Sequence, residues 1–210
     1  PDCPKEALMD FYPEWVHRPN SGVYYCNRPV SFDIETTSMY TSEGEKISFM
    51  YVWTVDIDGR IVMGRRWEQF VDFVHGMASY FGCSDVGTQK RHIIIWVHNL
   101  AYEFQFIRHW FKWSRVFSLK KRKPLYAITK DGIEFRCSYI LTNYSLAKLS
   151  DQLQKYTIAK LDTLDYEKVR TPKTPMEWQE IRYCINDVLV VSAYIQECVI
   201  TERTLANIPL

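Results

Sequence analysis

A meander of three short strands, an amphipathic helix, one continuous apolar strand and further helices follow one another along this chain. That order predicts an α/β fold: a mixed sheet flanked by helices, with an extra β-hairpin. Three observations carry the expectation. Apolar and polar residues alternate around Phe32 and Ile34, the period of a half-buried strand. Trp67, Phe70, Val71, Val74, Met77, Ala78 and Phe81 recur at steps of three and four, the period of a helix with one buried face. His-Ile-Ile-Ile-Trp-Val at 92–97 is almost unbroken in its hydrophobicity, as befits a central strand covered on both sides.

With 210 residues, 47% of them apolar and 15% aromatic, the chain can bury one good core. The expected organisation is an N-terminal arm, 1–29, and a single domain, 30–210. A formal charge of +1 excludes a bulk polycation that binds nucleic acid by charge alone. It leaves room for a local patch, and Lys112, Arg115, Lys120, Lys121, Arg122 and Lys123 form one within twelve positions. The six cysteines show no Cys-x-x-Cys pair and no Cys/His ligand spacing, which argues against zinc. Without a secretory segment or an apolar run of bilayer length, the chain is expected to be intracellular and cytoplasmic, with no membrane partner.

In chain order, 1–29 carries five prolines and clustered aromatics without a sustained period, so it is expected to pack on the domain as an arm. Residues 30–37 form the first strand of the domain and 46–56 the next. Asp58-Gly59 turns the chain into 60–65, because an Asp-Gly pair suits a tight hairpin. The helix from Trp67 stops at Gly82, and after the apolar strand at 92–97 a helix is expected from just past Asn99 to about 113. A hairpin follows at 125–129 and 133–138 around Asp131-Gly132, then a helix at 145–154 and connecting chain at 155–173. Thr174-Pro175-Met176-Glu177 predicts a helix start, with Thr as N-cap and Pro at the first helical position, and that helix runs to about 201.

Three stretches carry candidate chemistry. In Ser31-Phe32-Asp33-Ile34-Glu35-Thr36-Thr37 both acids leave one face of a strand. Neighbouring carboxylates repel, and a divalent cation is the common reason for a fold to keep them together. At the end of the apolar strand, His98-Asn99-Leu100-Ala101-Tyr102-Glu103 changes abruptly to polar side chains, where sites in open α/β sheets lie. On the last helix Tyr183 and Asp187 are four apart and share a face.

Together the three stretches resemble, in order and spacing, the Exo I, Exo II and Exo III motifs of 3′–5′ proofreading exonucleases, whose ribonuclease H-like fold joins an antiparallel hairpin to a parallel strand. Asp33-Ile34-Glu35-Thr36 matches Exo I, Asn99 to Glu103 matches Exo II, and Tyr183 with Asp187 matches Exo III in its tyrosine-containing form. A narrower resemblance, to the protein-primed family B DNA polymerases of phages, rests on Tyr144-Ser145-Leu146-Ala147-Lys148-Leu149. It also rests on Lys160 followed by Tyr166, at a spacing about one residue off. The family has Asp where this chain has Glu103, whose extra methylene moves the carboxylate by on the order of 1.5 Å.

The resemblance implies hydrolysis of single-stranded DNA from its 3′ end with two divalent ions, Mg²⁺ or Mn²⁺. Asp33, Glu35, Glu103 and Asp187 would be the metal ligands, Tyr183 would orient water or phosphate, and Lys160 would meet the scissile phosphate. Thr36, Asn99, Tyr102, Ser145, Leu146 and Tyr166 would line the strand's path. A polymerase domain and a terminal protein are the implied partners, although polymerisation is not expected of these 210 residues. Two other readings remain open: a weakened nuclease fold that binds nucleic acid or a partner, and an exonuclease that trims RNA.

Overall fold

The computed structural model describes residues 8–17, 20–158, 161 and 164–208. Its centre is a mixed sheet of nine strands: β1 (Trp15–His17), β2 (Val23–Cys26), β3 (Val30–Tyr40), β4 (Lys46–Ile57), β5 (Arg60–Gly64), β6 (Lys90–Val97), β7 (Trp113–Lys120), β8 (Lys123–Thr129) and β9 (Ile133–Cys137). The main order is β5-β4-β3-β6-β9-β8-β7. The apolar strand β6 runs parallel to β3 and β9, while the β3-β4-β5 meander and the β7-β8-β9 meander are antiparallel. Residues of the N-terminal segment join this sheet, since β2 pairs in parallel with the first half of β6 and β1 pairs with β2. The α/β expectation, a mixed sheet flanked by helices, describes this architecture, and the fold class is ribonuclease H-like.

Helices cover both faces. On one side α1 (Trp67–Tyr80) and α2 (Leu100–Ile107) close a core in which Phe32 stacks on Phe70 at 4.4 Å and Trp53, Phe73, Ile95 and Phe135 are buried. Opposite, Val191, Ile195 and Val199 of the long helix α5 (Trp178–Glu202) pack on Ile94 and Trp96. Two short helices, α3 (Tyr139–Thr142) and α4 (Leu146–Asp151), precede it. The sequence predicts no apolar run of bilayer length, whereas α5 has the length and composition to cross one. Half of its most apolar stretch is buried in this fold, as it is in a helix whose apolar face packs on a sheet.

Besides shifts of a few residues at element ends, such as 146–151 for the helix expected at 145–154, three departures from expectation stand out. The helix after Asn99 ends at Ile107, not near 113: Trp113 turns back to donate its Nε1–H to the carbonyl of Arg108 and packs with Phe104 and Phe111. The basic stretch is no plain loop: Arg115 and Lys120 lie on a strand, β7, whose side chains are mostly in solvent, Lys121 and Arg122 form the turn after it, and Lys123 opens β8. A strand bonded along one edge and wet on both faces has no alternation to betray it. The last helix begins three residues after Pro175, because Glu177 and Glu180 form the capping box and Thr174 Oγ1 instead accepts the N–H of Thr171.

Behind the centre of the sheet Asp56 is fully buried, and burial pushes its carboxyl up to about 6 from an ordinary 3.8 despite hydrogen bonds from Ser192 and the Gly59 N–H. Below pH 4 folded and unfolded chains both hold this proton. As pH climbs to 6 only the unfolded chain releases it, so stability falls by on the order of 3 kcal/mol and stays lower above. Asp56→Asn is therefore expected to raise stability by about 1–3 kcal/mol at pH 8 and to change little at pH 4, read by urea denaturation at both pH values.

Candidate metal centre

The site forms where α5 crosses β3. Ser31 Oγ donates to the carbonyl of Val188 at 2.8 Å and bonds Ser192 at 2.9 Å, which fixes the odd-numbered face of β3 against the helix. Two and four residues further along that face come Asp33 and Glu35. Asp187 immediately precedes Val188 on α5, and Tyr183 lies one turn further back, as the four-residue spacing requires. Ligand oxygens of Asp33, Glu35 and Asp187 lie within 4.8 Å of one another. The register between β3 and β4 shifts between Glu35 and Thr36, where Val52 and Met50 are their partners and Tyr51 is left over. Such a bulge re-aims side chains at a strand end.

The fourth acid arrives from α2. Asn99 holds a left-handed backbone, φ 86°, at the junction of β6 and α2, a conformation that a non-glycine residue keeps only where its surroundings enforce it. One turn later Glu103 is buried and faces the other acids. Burial first, then the charges of Asp33 and Glu35, hold its carboxyl well above the usual range. Glu103 stands outside the three-acid cluster and nearest in charge to Asp33. Its Oε2 is buried with no hydrogen-bond partner among the described residues.

The surrounding phenols stay neutral. Burial, the hydroxyl of Tyr166 and the charges of Asp187 and Glu35 raise Tyr183 far above an ordinary phenol, so its O–H remains a donor at any working pH. Tyr102 is also raised, by burial ahead of the charges of Glu103, Glu35 and Asp33. Its hydroxyl meets Thr36 Oγ1 at 2.5 Å. Cys184 is raised by burial and by Glu35, Asp33 and Asp187, so it stays a thiol beside the acids.

Of the remaining candidates, Asn99 is exposed at the end of β6. Ser145 caps α4 by accepting the Lys148 N–H, and Leu146 packs on the core beneath α5. Tyr166 is mostly exposed, yet its hydroxyl meets that of Tyr183 at 2.9 Å. Lys160 lies outside the described residues. Sequence patterns do not single out Tyr51, Cys184, Arg170 or Glu180. All four are buried at or beside the cluster, and no local period marks a residue whose partner is distant in sequence.

Carboxylates only, close together and partly desolvated, with one buried oxygen unsatisfied, fit hard divalent cations such as Mg²⁺ or Mn²⁺. The class is set by the fold, a ribonuclease H-like domain with an acidic cluster at the sheet's carboxyl edge. No family model matches the chain, and no curated protein shows significant similarity to it. Among solved structures the chain is similar to phi29 DNA polymerase complexed with single-stranded DNA, with TM-score 0.65 and 17% identity over 84% of this chain and 32% of that one. The same polymerase complexed with primer-template DNA and incoming nucleotides aligns with TM-score 0.60 and 16% identity over 83% of this chain and 31% of that one. The chain thus spans about a third of that polymerase's length.

Millimolar Mn²⁺ is expected to raise the melting temperature of the wild type by roughly 3–8 °C, since an ion that binds only the folded acids stabilises them. Asp33→Asn should melt higher than wild type in EDTA, through relieved repulsion, and should lose the Mn²⁺ response. A wild-type melting temperature indifferent to Mn²⁺ would count against the site.

Proposed function

We propose that this domain is a metal-dependent 3′–5′ exonuclease that hydrolyses single-stranded DNA ends, and that it serves as the proofreading part of a protein-primed family B DNA polymerase. The observation that carries the reading is the convergence of Asp33, Glu35 and Asp187, from opposite ends of the chain, with Glu103 and Tyr183 beside them. Similarity to a polymerase solved with single-stranded DNA supports the substrate class. The polymerase domain and terminal protein are proposed partners on the same ground.

In this reading Asp33, Glu35 and Asp187 would hold one ion, and Glu103 beside Asp33 would serve a second. Bound ions of this kind activate water and stabilise the leaving 3′ oxygen. Glu103, protonated by its surroundings, must release its proton to become a ligand, so metal affinity rises with pH. Tyr183 donates its phenolic hydrogen to the attacked phosphate or to the water, and being un-ionised it adds no charge to repel either. Tyr102 and Tyr166 offer ring faces to bases, while Thr36, Asn99 and Ser145 offer hydrogen bonds and Leu146 an apolar wall. Lys160 is assigned to the scissile phosphate and the basic stretch 112–123 to the phosphate backbone.

The test is degradation of 5′-labelled single-stranded DNA with Mg²⁺ or Mn²⁺. Asp33→Ala with Glu35→Ala should lower the rate at least about 1,000-fold, and an unchanged rate would reject the assignment. Glu103→Asp should alter the rate by roughly 10-fold or more, because the ligand's reach changes by a methylene. Competition with an RNA oligonucleotide separates a deoxyribonuclease from an RNA-trimming enzyme.

A further inference from the structure

Between α4 and α5 the chain runs through 152–177 with no regular element among its described residues, yet it is fastened along its length. At its start the carboxylate of Glu197 accepts the N–H groups of Gln154, Lys155 and Tyr156 at 2.7 to 3.2 Å. At its far end Arg65 donates from Nε to the carbonyl of Tyr51 and from Nη2 to those of Thr171 and Thr174. Between these anchors lies Arg170, a strap residue that is 4% exposed.

Its guanidinium uses three directions at once. Nε and Nη2 reach Glu180 Oε1 at 2.7 and 2.6 Å. Nη1 donates to the carbonyls of Asp165 at 2.6 Å and Lys168 at 3.0 Å, drawing 165–170 into a closed loop. The backbone N–H of Arg170 donates to Thr37 Oγ1 at 3.3 Å, two residues beyond Glu35, and the guanidinium lies 5.8 Å from the Tyr51 ring. Burial would raise Glu180, but the Glu177 N–H, Arg170 and Lys168 outweigh it and hold the carboxyl below its usual range. The pair is therefore charged. Carried on that closed loop is Tyr166, whose hydroxyl meets Tyr183's at 2.9 Å. Glu180 lies three residues before Tyr183 on α5, so the same ion pair grips the loop and the helix turn that hold the two phenols.

We infer that Arg170 and Glu180 are positioning residues, a clasp that sets the Tyr166 hydroxyl on that of Tyr183 and so fixes where the Tyr183 phenol stands beside the reacting phosphate. The inference rests on the exonuclease reading. Buried and satisfied in three directions, a planar fork can hold a loop to a fraction of an ångström, and an ammonium on a flexible stem cannot reproduce it. Misplacement of a reacting group by about 1 Å costs up to about 100-fold in rate. The clasp touches no substrate group, so its effect belongs in kcat and passes through Tyr183.

The experiment is a set of double-mutant cycles on single-stranded DNA hydrolysis, with Tyr183→Phe as the common partner. Tyr166→Phe, which removes one hydroxyl from a mostly exposed side chain, should lower kcat about 10-fold with KM within about 2-fold. Arg170→Lys should lower kcat about 10- to 100-fold. In the Tyr183→Phe background both should cost less than about 2-fold. Should Arg170→Lys not fold, Thr37→Val removes only the anchor on β3 and is expected to show a smaller loss, about 3-fold, with the same dependence on Tyr183. Losses that multiply with Tyr183→Phe, or a Tyr166→Phe enzyme as fast as wild type, would overturn the clasp. Asp187→Asn separates the two ideas: if it degrades DNA at the wild-type rate the exonuclease reading itself falls, whereas an inactive Asp187→Asn beside multiplying losses condemns the clasp alone.

Discussion

Mutual repulsion among carboxylates is the constraint around which this molecule is built. Asp33, Glu35 and Asp187 present oxygens within 4.8 Å of one another, and Glu103 is pressed toward them in a setting that disfavours its charge. Nothing local holds such a group together. It is held because β3 is paired along both edges, to β4 and β6, and because α5 is anchored across it by an apolar face and by the Ser31 contacts to Val188 and Ser192. Core packing supplies the force that the acids resist, and a cation placed among them converts the strain into affinity.

One strand does both jobs. Even-numbered residues of β3, Phe32 and Ile34, enter the core under α1, while odd-numbered Ser31, Asp33 and Glu35 face α5. A slip of one residue in its pairing would put the acids in the core and the aromatic ring at the site. Past Glu35 the alternation continues, with Thr36 bonded to Tyr102 of α2 and Thr37 to the Arg170 N–H, while the extra residue of the bulge is on β4, where Tyr51 lies beside Tyr183 and Cys184. Burial around the acids keeps the neighbouring phenols and thiol neutral, so negative charge is concentrated in the carboxylates that would meet a cation.

The described residues of the irregular strap are held by different means from the sheet. A helix or strand satisfies its own backbone, whereas this segment gives its carbonyls and N–H groups to Arg65, Arg170 and Glu197. Buried ion pairs contribute little net stability against apolar packing, but they fix direction well. That is the property needed where a loop must place a hydroxyl.

Reading the chain alone was enough to find the strands and helices with a clear period, and its short motifs nominated Asp33, Glu35, Glu103, Tyr183 and Asp187, of which the fold brings Asp33, Glu35 and Asp187 together. Periodicity is written into local sequence, and the acids stand in short motifs on or just after periodic segments. It did not reveal β7, because a strand exposed on both faces leaves no alternation, nor the early end of α2, which aromatic contacts from Phe111 and Trp113 impose. Folding in three dimensions alone decided that Asp187, more than 150 residues further along the chain, shares one small volume with Asp33 and Glu35, with Glu103 standing apart from the trio beside Asp33. It also decided that Arg170 sits beneath Tyr51 against Glu180, and that Tyr166 meets Tyr183. Those are contacts between distant positions, and no window of neighbouring residues encodes a distance across a fold.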